Sequence, residues 1–183
     1  MYRTDGAVGL LIKKKDLGGG SDSWPRQLMM ARHATSLFNL MTRQKEEDGL
    51  YRRFASCYCA DPESLETKEL AQELAGKYFL GPETEIPIDQ TARDEAVATG
   101  QGLWSAGFGL PDVIVVSSCV RTRQTLDGLV EGWPELGAVE VLVEEAIAHQ
   151  DYGALLSIND RQIFFALHPQ ERKKFEMEGR NYR

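Results

Sequence analysis

Short apolar runs that end in polar residues recur along this chain and predict buried strands. The first run covers 28–31 and stops at Arg32 and His33. The second lies within 110–118 and stops at two serines, and a third covers 139–143. Uninterrupted runs of this length fit strands better than helices. The second run is continuous and β-branched, as is typical of a parallel strand that is covered on both faces.

Helical patterns separate and follow these runs. The predicted helical regions are 37–80 (with a second helix over 64–77), 89–104, a segment from 119 onward, and 158–179. Asp89 is a suitable N-cap for the region 89–104, which should run to about Trp104. His168 and Pro169 should interrupt the last region, because proline disfavours helical conformation in the residue before it.

Length, charge and composition narrow the class of protein. The chain has 183 residues, about the size of one domain, and a formal charge of −7. That charge argues against nucleic acid or an anionic membrane as the main partner. No apolar run is long enough to span a bilayer and no signal peptide is recognisable, so we expect a cytoplasmic protein. Its three cysteines are interpreted as free thiols.

The domain organisation follows from composition. Residues 1–25 contain one short apolar stretch and a glycine run at 18–20, and they are predicted to form an N-terminal extension or linker. Residues 26–183 are predicted to form the single domain. The basic side chains of its first helical region either face solvent or contact a second anionic group of a substrate; they are Arg43, Lys45, Arg52 and Arg53.

Two predicted strand ends carry groups that could bind an anion. Arg32 and His33 follow the first strand, and Ser36 could cap the helix that comes after them. Arg121 lies at the start of the helix that follows the second strand. In open α/β sheets, ligands bind at the carboxyl ends of the strands. An arginine and a histidine at such an edge offer a fixed positive charge and a nucleophilic imidazole.

Both strand ends resemble motifs of the histidine phosphatase (phosphoglycerate mutase-like) superfamily. The first resembles Arg-His-Gly-Glu-Ser/Thr-x-x-Asn, with Ala34 and Thr35 in place of the glycine and glutamate. The second, from Ser117 to Thr125, resembles Ser-x-x-x-x-Arg-x-x-Gln-Thr with one residue fewer before Arg121. The resemblance implies a three-layer α/β/α fold with a mostly parallel sheet, and a small phosphorylated substrate. By this resemblance, His33 is the residue that becomes phosphorylated, and Arg32 and Arg121 bind the phosphoryl group. The substrate-binding residues are Asn39, Ser36 and Tyr152.

The general acid is the point where this chain departs from the resemblance. The position that normally carries the acid, four residues before Gly153, is His149. An imidazolium beside a phosphate could donate the proton. Glu145 or Asp151 could do so instead, or the site could bind without turnover. His168 precedes a proline and a charged helix, so it is predicted to be a surface or capping residue.

The resemblance also predicts that the C-terminal part of the domain is missing, which would leave a central sheet edge unpaired. The function expected first is a phosphatase that acts through a phosphohistidine and needs no metal or other cofactor. The alternatives are a phospho-ligand-binding protein that is catalytically impaired, and an assembly subunit. In the assembly subunit, a second copy or a partner chain would cover the open sheet edge.

Overall fold

A computed structural model describes residues 8–13, 27–148 and 160–178. These residues form two units, one made of 8–13, 27–36 and 84–148 and the other of 37–83 and 160–178. Both α-helices and β-strands are present, so the chain is a mixed α/β protein. None of the described helices is long and apolar enough to cross a membrane.

The first unit contains a sheet of four described strands in the order β2-β1-β3-β4. The strands are β1 (Val8–Lys13), β2 (Gln27–Arg32), β3 (Val113–Val116) and β4 (Glu140–Val143). β1 is antiparallel to both β2 and β3, whereas β3 and β4 are parallel. The expectation of a mostly parallel sheet is therefore wrong for the described strands. The physical reason is that antiparallel neighbours need no crossover helix between them.

The strand β1 lies inside the segment that was predicted to be an extension or linker. Its short apolar stretch is inserted between β2 and β3, where it pairs with both strands. An interior strand satisfies its backbone groups on both sides, so this stretch belongs to the sheet.

Two long helices cover one face of this sheet, which we call the inner face. They are α4 (Gln90–Ser105) and α5 (Val120–Gly132), and the core between helices and sheet contains Ile114, Leu129, Trp133 and Leu136. Asp89 caps α4 by accepting a hydrogen bond from Thr91 N, as predicted. α4 ends where Gly107 adopts a positive φ of 76°, and Gly107 N and Phe108 N bond back to the helix in a Schellman arrangement.

The other face of the sheet, the outer face, carries apolar side chains that are exposed. Leu28 and Met30 on β2 are 50% and 64% exposed, and Leu142 on β4 is 47% exposed. The pairing register places these residues on the same side as Val113 and Val115, opposite the buried Ile114. Within the described part of this unit, α4 and α5 therefore form one helical layer on the sheet.

The second unit is helical. It contains α1 (Leu37–Glu47), α2 (Gly49–Ala60), α3 (Leu65–Ala75), α6 (Arg161–Leu167) and α7 (Pro169–Glu178). Its core contains Met41, Phe54, Leu70, Leu74 and Ile163. The predicted break at His168 and Pro169 is confirmed, because α6 ends at Leu167 and α7 begins at Pro169.

A buried ion pair joins two helices of this second unit. Lys45 Nζ on α1 donates to Asp160 Oδ2 at 3.0 Å, and Tyr51 OH donates to the same oxygen at 2.6 Å. Asp160 Oδ1 caps α6 by accepting from Ile163 N. Burial lowers the pKa of the Lys45 ammonium, while Asp160 opposes this shift. Lys45 is thus part of the packing between α1 and α6.

Candidate active site

The segment that follows β2 places His33 in a buried position. Met29 and Ala31 are partly buried on the inner face, and His33, just past the strand, is only 9% exposed. Its Nδ1 lies 2.7 Å from Ala34 O. Because a carbonyl oxygen only accepts hydrogen bonds, Nδ1 carries the proton. In the neutral ring the lone pair is then on Nε2, which is the nitrogen suited to nucleophilic attack.

Arg32 is the last residue of β2 and is exposed. Alternation along the strand places its side chain on the outer-face side with Met30, opposite to Ala31. The role predicted for Arg32 in binding a phosphoryl group stays a prediction.

The loop after His33 is held in place by α5. Ala34 N donates to Thr125 Oγ1 at 2.9 Å, and Thr125 Oγ1 donates in turn to Arg121 O at 2.7 Å. This chain of hydrogen bonds connects the residue after His33 to the backbone of Arg121. No local pattern predicts this contact of Thr125, which is the threonine of the second motif and lies one helical turn after Arg121.

The segment before α4 also holds this loop. Thr35 O accepts from Asp89 N at 2.8 Å, and Ser36 forms an antiparallel bridge with Ile88. Ile88 N in turn donates to Gln124 Oε1 of α5 at 2.9 Å. Ser36 is 1% exposed and immediately precedes α1. Backbone pairing with 88–89 on one side and the Thr125 hydroxyl on the other side fix the course of the chain from Ala34 to Ser36.

The second strand end forms a buried hydroxyl network at the start of α5. Thr122 Oγ1 donates to Cys119 O at 2.9 Å and lies 2.6 Å from Ser117 Oγ. Since the single proton of Thr122 points to Cys119, Ser117 must be the donor to Thr122. Arg121, in the first turn, is only 3% exposed. The helix dipole disfavours a cation at this end, whereas an anion beside Arg121 would interact favourably with both the guanidinium and the helix.

The two strand ends lie at the same edge of the sheet but are not neighbours. β1 separates β2 from β3, so the strand before His33 and the strand before Arg121 are not adjacent in the sheet. Because β1 is antiparallel to both, β2 and β3 nevertheless point the same way. The hydrogen bond from Ala34 to Thr125 then brings the β2 loop against α5.

A small cavity of about 30 Å³ lies below this edge on the inner face. Its lining is mostly apolar and consists of Ala31, Arg32, His33, Ile114, Val115, Val116, Thr122, Thr125, Leu126 and Leu129. The space holds about two water molecules and is too small for a phosphate ester. A substrate at this site must therefore reach His33 from beyond the ends of the strands and not through this cavity.

The remaining predicted site residues fall into three groups. His149, Tyr152 and the alternative acid Asp151 lie outside the described residues. Asn39 is in α1, in the helical unit. Glu145, the other alternative acid, lies just after β4, and its Oε2 accepts a hydrogen bond from Ser118 Oγ at 2.9 Å. The described residues bring together no group of three or more His, Cys, Asp or Glu that could hold a metal ion.

A Thr125→Val variant should loosen the β2 loop. Valine keeps the shape of the side chain but leaves the Ala34 N–H without its acceptor, which should cost about 1–2 kcal/mol of unfolding free energy. Thr125→Ser keeps the hydroxyl and should retain the bond. Denaturant titration followed by tryptophan fluorescence, with amide exchange at Ala34, measures both effects. Equal exchange of the Ala34 amide in the wild type and Thr125→Val would contradict the assigned bond.

Comparisons with known proteins leave the site to be judged on its own geometry. No protein-family model matches the chain, and no curated protein matches it significantly.

Proposed function

We propose that this protein is a phosphatase that hydrolyses a phosphomonoester through a phosphohistidine on His33. The observation that supports this most is the hydrogen bond from Ala34 to Thr125, which connects the loop of the buried His33 to the helix of the buried Arg121. A three-layer fold of the phosphoglycerate mutase type is part of the same proposal. So is membership of the histidine phosphatase superfamily, which rests on the two motifs.

The proposed reaction has two steps. His33 Nε2 attacks phosphorus, the bond to the ester oxygen breaks, and the leaving oxygen takes a proton from a general acid. Water then attacks the phosphohistidine, the P–N bond breaks, and inorganic phosphate leaves. Arg121 and Arg32 compensate the charge on the phosphoryl oxygens, with Asn39, Ser36 and Tyr152 as further substrate-binding residues. This scheme uses arginines where other phosphatases use metal ions.

The His33→Ala variant should abolish hydrolysis of an aryl phosphate such as p-nitrophenyl phosphate. The wild type should also trap a phosphoryl group that is stable in base and labile in acid, as phosphohistidine is. His168→Ala is the matched control, because it removes an exposed histidine that packs on Phe164 in the helical unit. Equal rates for the wild type and His33→Ala would reject the phosphatase.

A second candidate function, an assembly subunit, is favoured by the apolar side chains on the outer face, and a third, a phospho-ligand-binding protein without turnover, by the buried Arg121. Leu28 and Met30 lie on β2, which is at one edge of the described sheet, and both are at least half exposed. A second copy or a partner chain covering this edge would remove them from water. Size-exclusion chromatography tests assembly, and a monomer would count against it. Thermal stabilisation by phosphate without turnover would support the binder.

A further inference from the structure

Glu145 lies at the edge of the sheet where the proposed chemistry takes place. β3 and β4 are parallel and in register from Val113 and Glu140 to Val116 and Val143, so they end together. At the ends of the strands, Glu144 N donates to Val116 O at 2.8 Å and keeps the segments after β3 and β4 adjacent. Glu145 is therefore at the carboxyl end of the sheet, as His33 is.

A specific hydrogen bond orients the carboxylate of Glu145. Ser118 Oγ donates to Glu145 Oε2 at 2.9 Å, and Ser118 lies three residues before Arg121. The carboxylate is exposed, and its Oε1 makes no hydrogen bond within the described part of the chain. Glu145 thus has one oxygen held by the β3 loop and a second oxygen that can exchange a proton.

The neighbouring carboxylate, that of Glu144, makes a different hydrogen bond. Glu144 Oε1 accepts from Ala146 N at 2.9 Å and so caps the short 3₁₀ helix Glu145–Ile147. Adjacent carboxylates with different partners provide a matched pair for experiment.

The separation across the edge is compatible with a shared substrate. β2 and β4 are three strand spacings apart in the order β2-β1-β3-β4, or about 14 Å. The imidazole of His33 and the carboxyl group of Glu145 can span that gap when a phosphoryl group lies between them. Arg121 follows the strand β3, which lies inside this interval.

We propose that Glu145 is the general acid and base of this reaction, in place of a residue at position 149. This inference rests on the proposed function. A phosphate dianion beside a carboxyl group favours its protonated form, because neighbouring like charges repel. Protonated Glu145 gives its proton to the leaving oxygen as the P–N bond to His33 forms. The resulting carboxylate takes a proton from the attacking water as the P–N bond breaks, which restores both residues.

The test compares substrates with good and poor leaving groups. Glu145→Gln should lower kcat/KM for phenyl phosphate by about 100-fold or more, the range expected for loss of a general acid. The loss for p-nitrophenyl phosphate should be at least tenfold smaller, since its leaving oxygen needs little protonation. Glu144→Gln should match the wild type on both substrates. Ser118→Ala, which releases the carboxylate, should show the same bias towards good leaving groups in weaker form.

The outcomes separate the two proposals. Hydrolysis that depends on His33 but is unchanged in Glu145→Gln, or lowered equally for both substrates, overturns the role of Glu145 and leaves the phosphatase standing. The same holds if His149→Gln, and not Glu145→Gln, shows the leaving-group bias. A wild type without His33-dependent hydrolysis overturns the proposed function and the role of Glu145 with it.

Discussion

Replacing Gly132 with alanine should lower the free energy of unfolding by about 2–3 kcal/mol. Gly132 ends α5 where this helix packs against α4, and an added Cβ would overlap the carbonyl oxygen of Val97. The obstacle is backbone and cannot rotate away, so the two helices must separate. On the other helix, Gly100 has the same relation to the carbonyl oxygen of Leu129. The α4–α5 contact therefore depends on glycine from both sides.

The matched control for Gly132→Ala is Gly102→Ala in α4. A Cβ at Gly102 would meet nothing within 4 Å, and alanine is the better helix former by about 1 kcal/mol. This control should therefore be neutral or stabilising. Tryptophan fluorescence suits the measurement because Trp133 is buried in this unit, whereas 37–83 and 160–178 contain no tryptophan. Equal stability of Gly132→Ala and Gly102→Ala would mean that the helices are not in close contact.

Replacing Asp160 with asparagine should destabilise the helical unit by about 3–4 kcal/mol. Asparagine can still cap α6 through its carbonyl oxygen, but it removes the carboxylate that pairs with the buried ammonium of Lys45. Removing one partner of a buried ion pair is costly because the other charge stays in a medium of low polarity. Unfolding followed by far-UV circular dichroism measures the loss, since this unit is helical.

The destabilisation by Asp160→Asn should shrink as the pH rises from 7 towards 10. Burial already lowers the pKa of Lys45 below its ordinary value of 10.5, and Asp160 is what opposes that shift. Without the carboxylate, the pKa of Lys45 falls further. Between this lowered pKa and 10.5 the unfolded chain binds more protons, so the free energy of unfolding of the variant increases with pH. A deficit that is the same at pH 7 and pH 10 would contradict the assignment.

Glu66→Gln is the control for Asp160→Asn. It removes an ion pair of similar length, from Arg53 to Glu66 at 2.6 Å, but the two side chains are 65% and 52% exposed. Solvent screens such pairs, so the midpoint of unfolding should not change measurably. A large effect of Glu66→Gln would show that burial is not what distinguishes the two pairs.

Local pattern was enough to predict most helices and strands. The apolar runs within 110–118 and at 139–143 contain β3 and β4, and the helix after Asp89 ends at Ser105, close to the predicted Trp104. The helix predicted over 64–77 is α3. These successes have a common cause: strand runs, caps and proline breaks depend on residues that are close together in the chain.

The candidate site was only partly predictable. His33 and Arg121 could be chosen because each follows an apolar run with polar residues, and both prove to be buried at one edge. The contribution of Thr125 could not be seen, because its partner Ala34 is 91 residues away in the sequence. The sequence predicts that Lys45 either faces solvent or contacts a substrate, but its partner Asp160 is 115 residues away and makes it part of the packing.

By itself, the sequence determined where the chain can form strands and helices, and which charged side chains follow a strand. Only the tertiary structure decided that β1 lies between β2 and β3, that α4 and α5 both pack on the inner face, and that Ser118 orients Glu145. Each of these depends on the pairing of distant segments. The order of the strands depends on which strand edges can satisfy each other's backbone hydrogen bonds while burying apolar area. No local pattern in the sequence encodes that order.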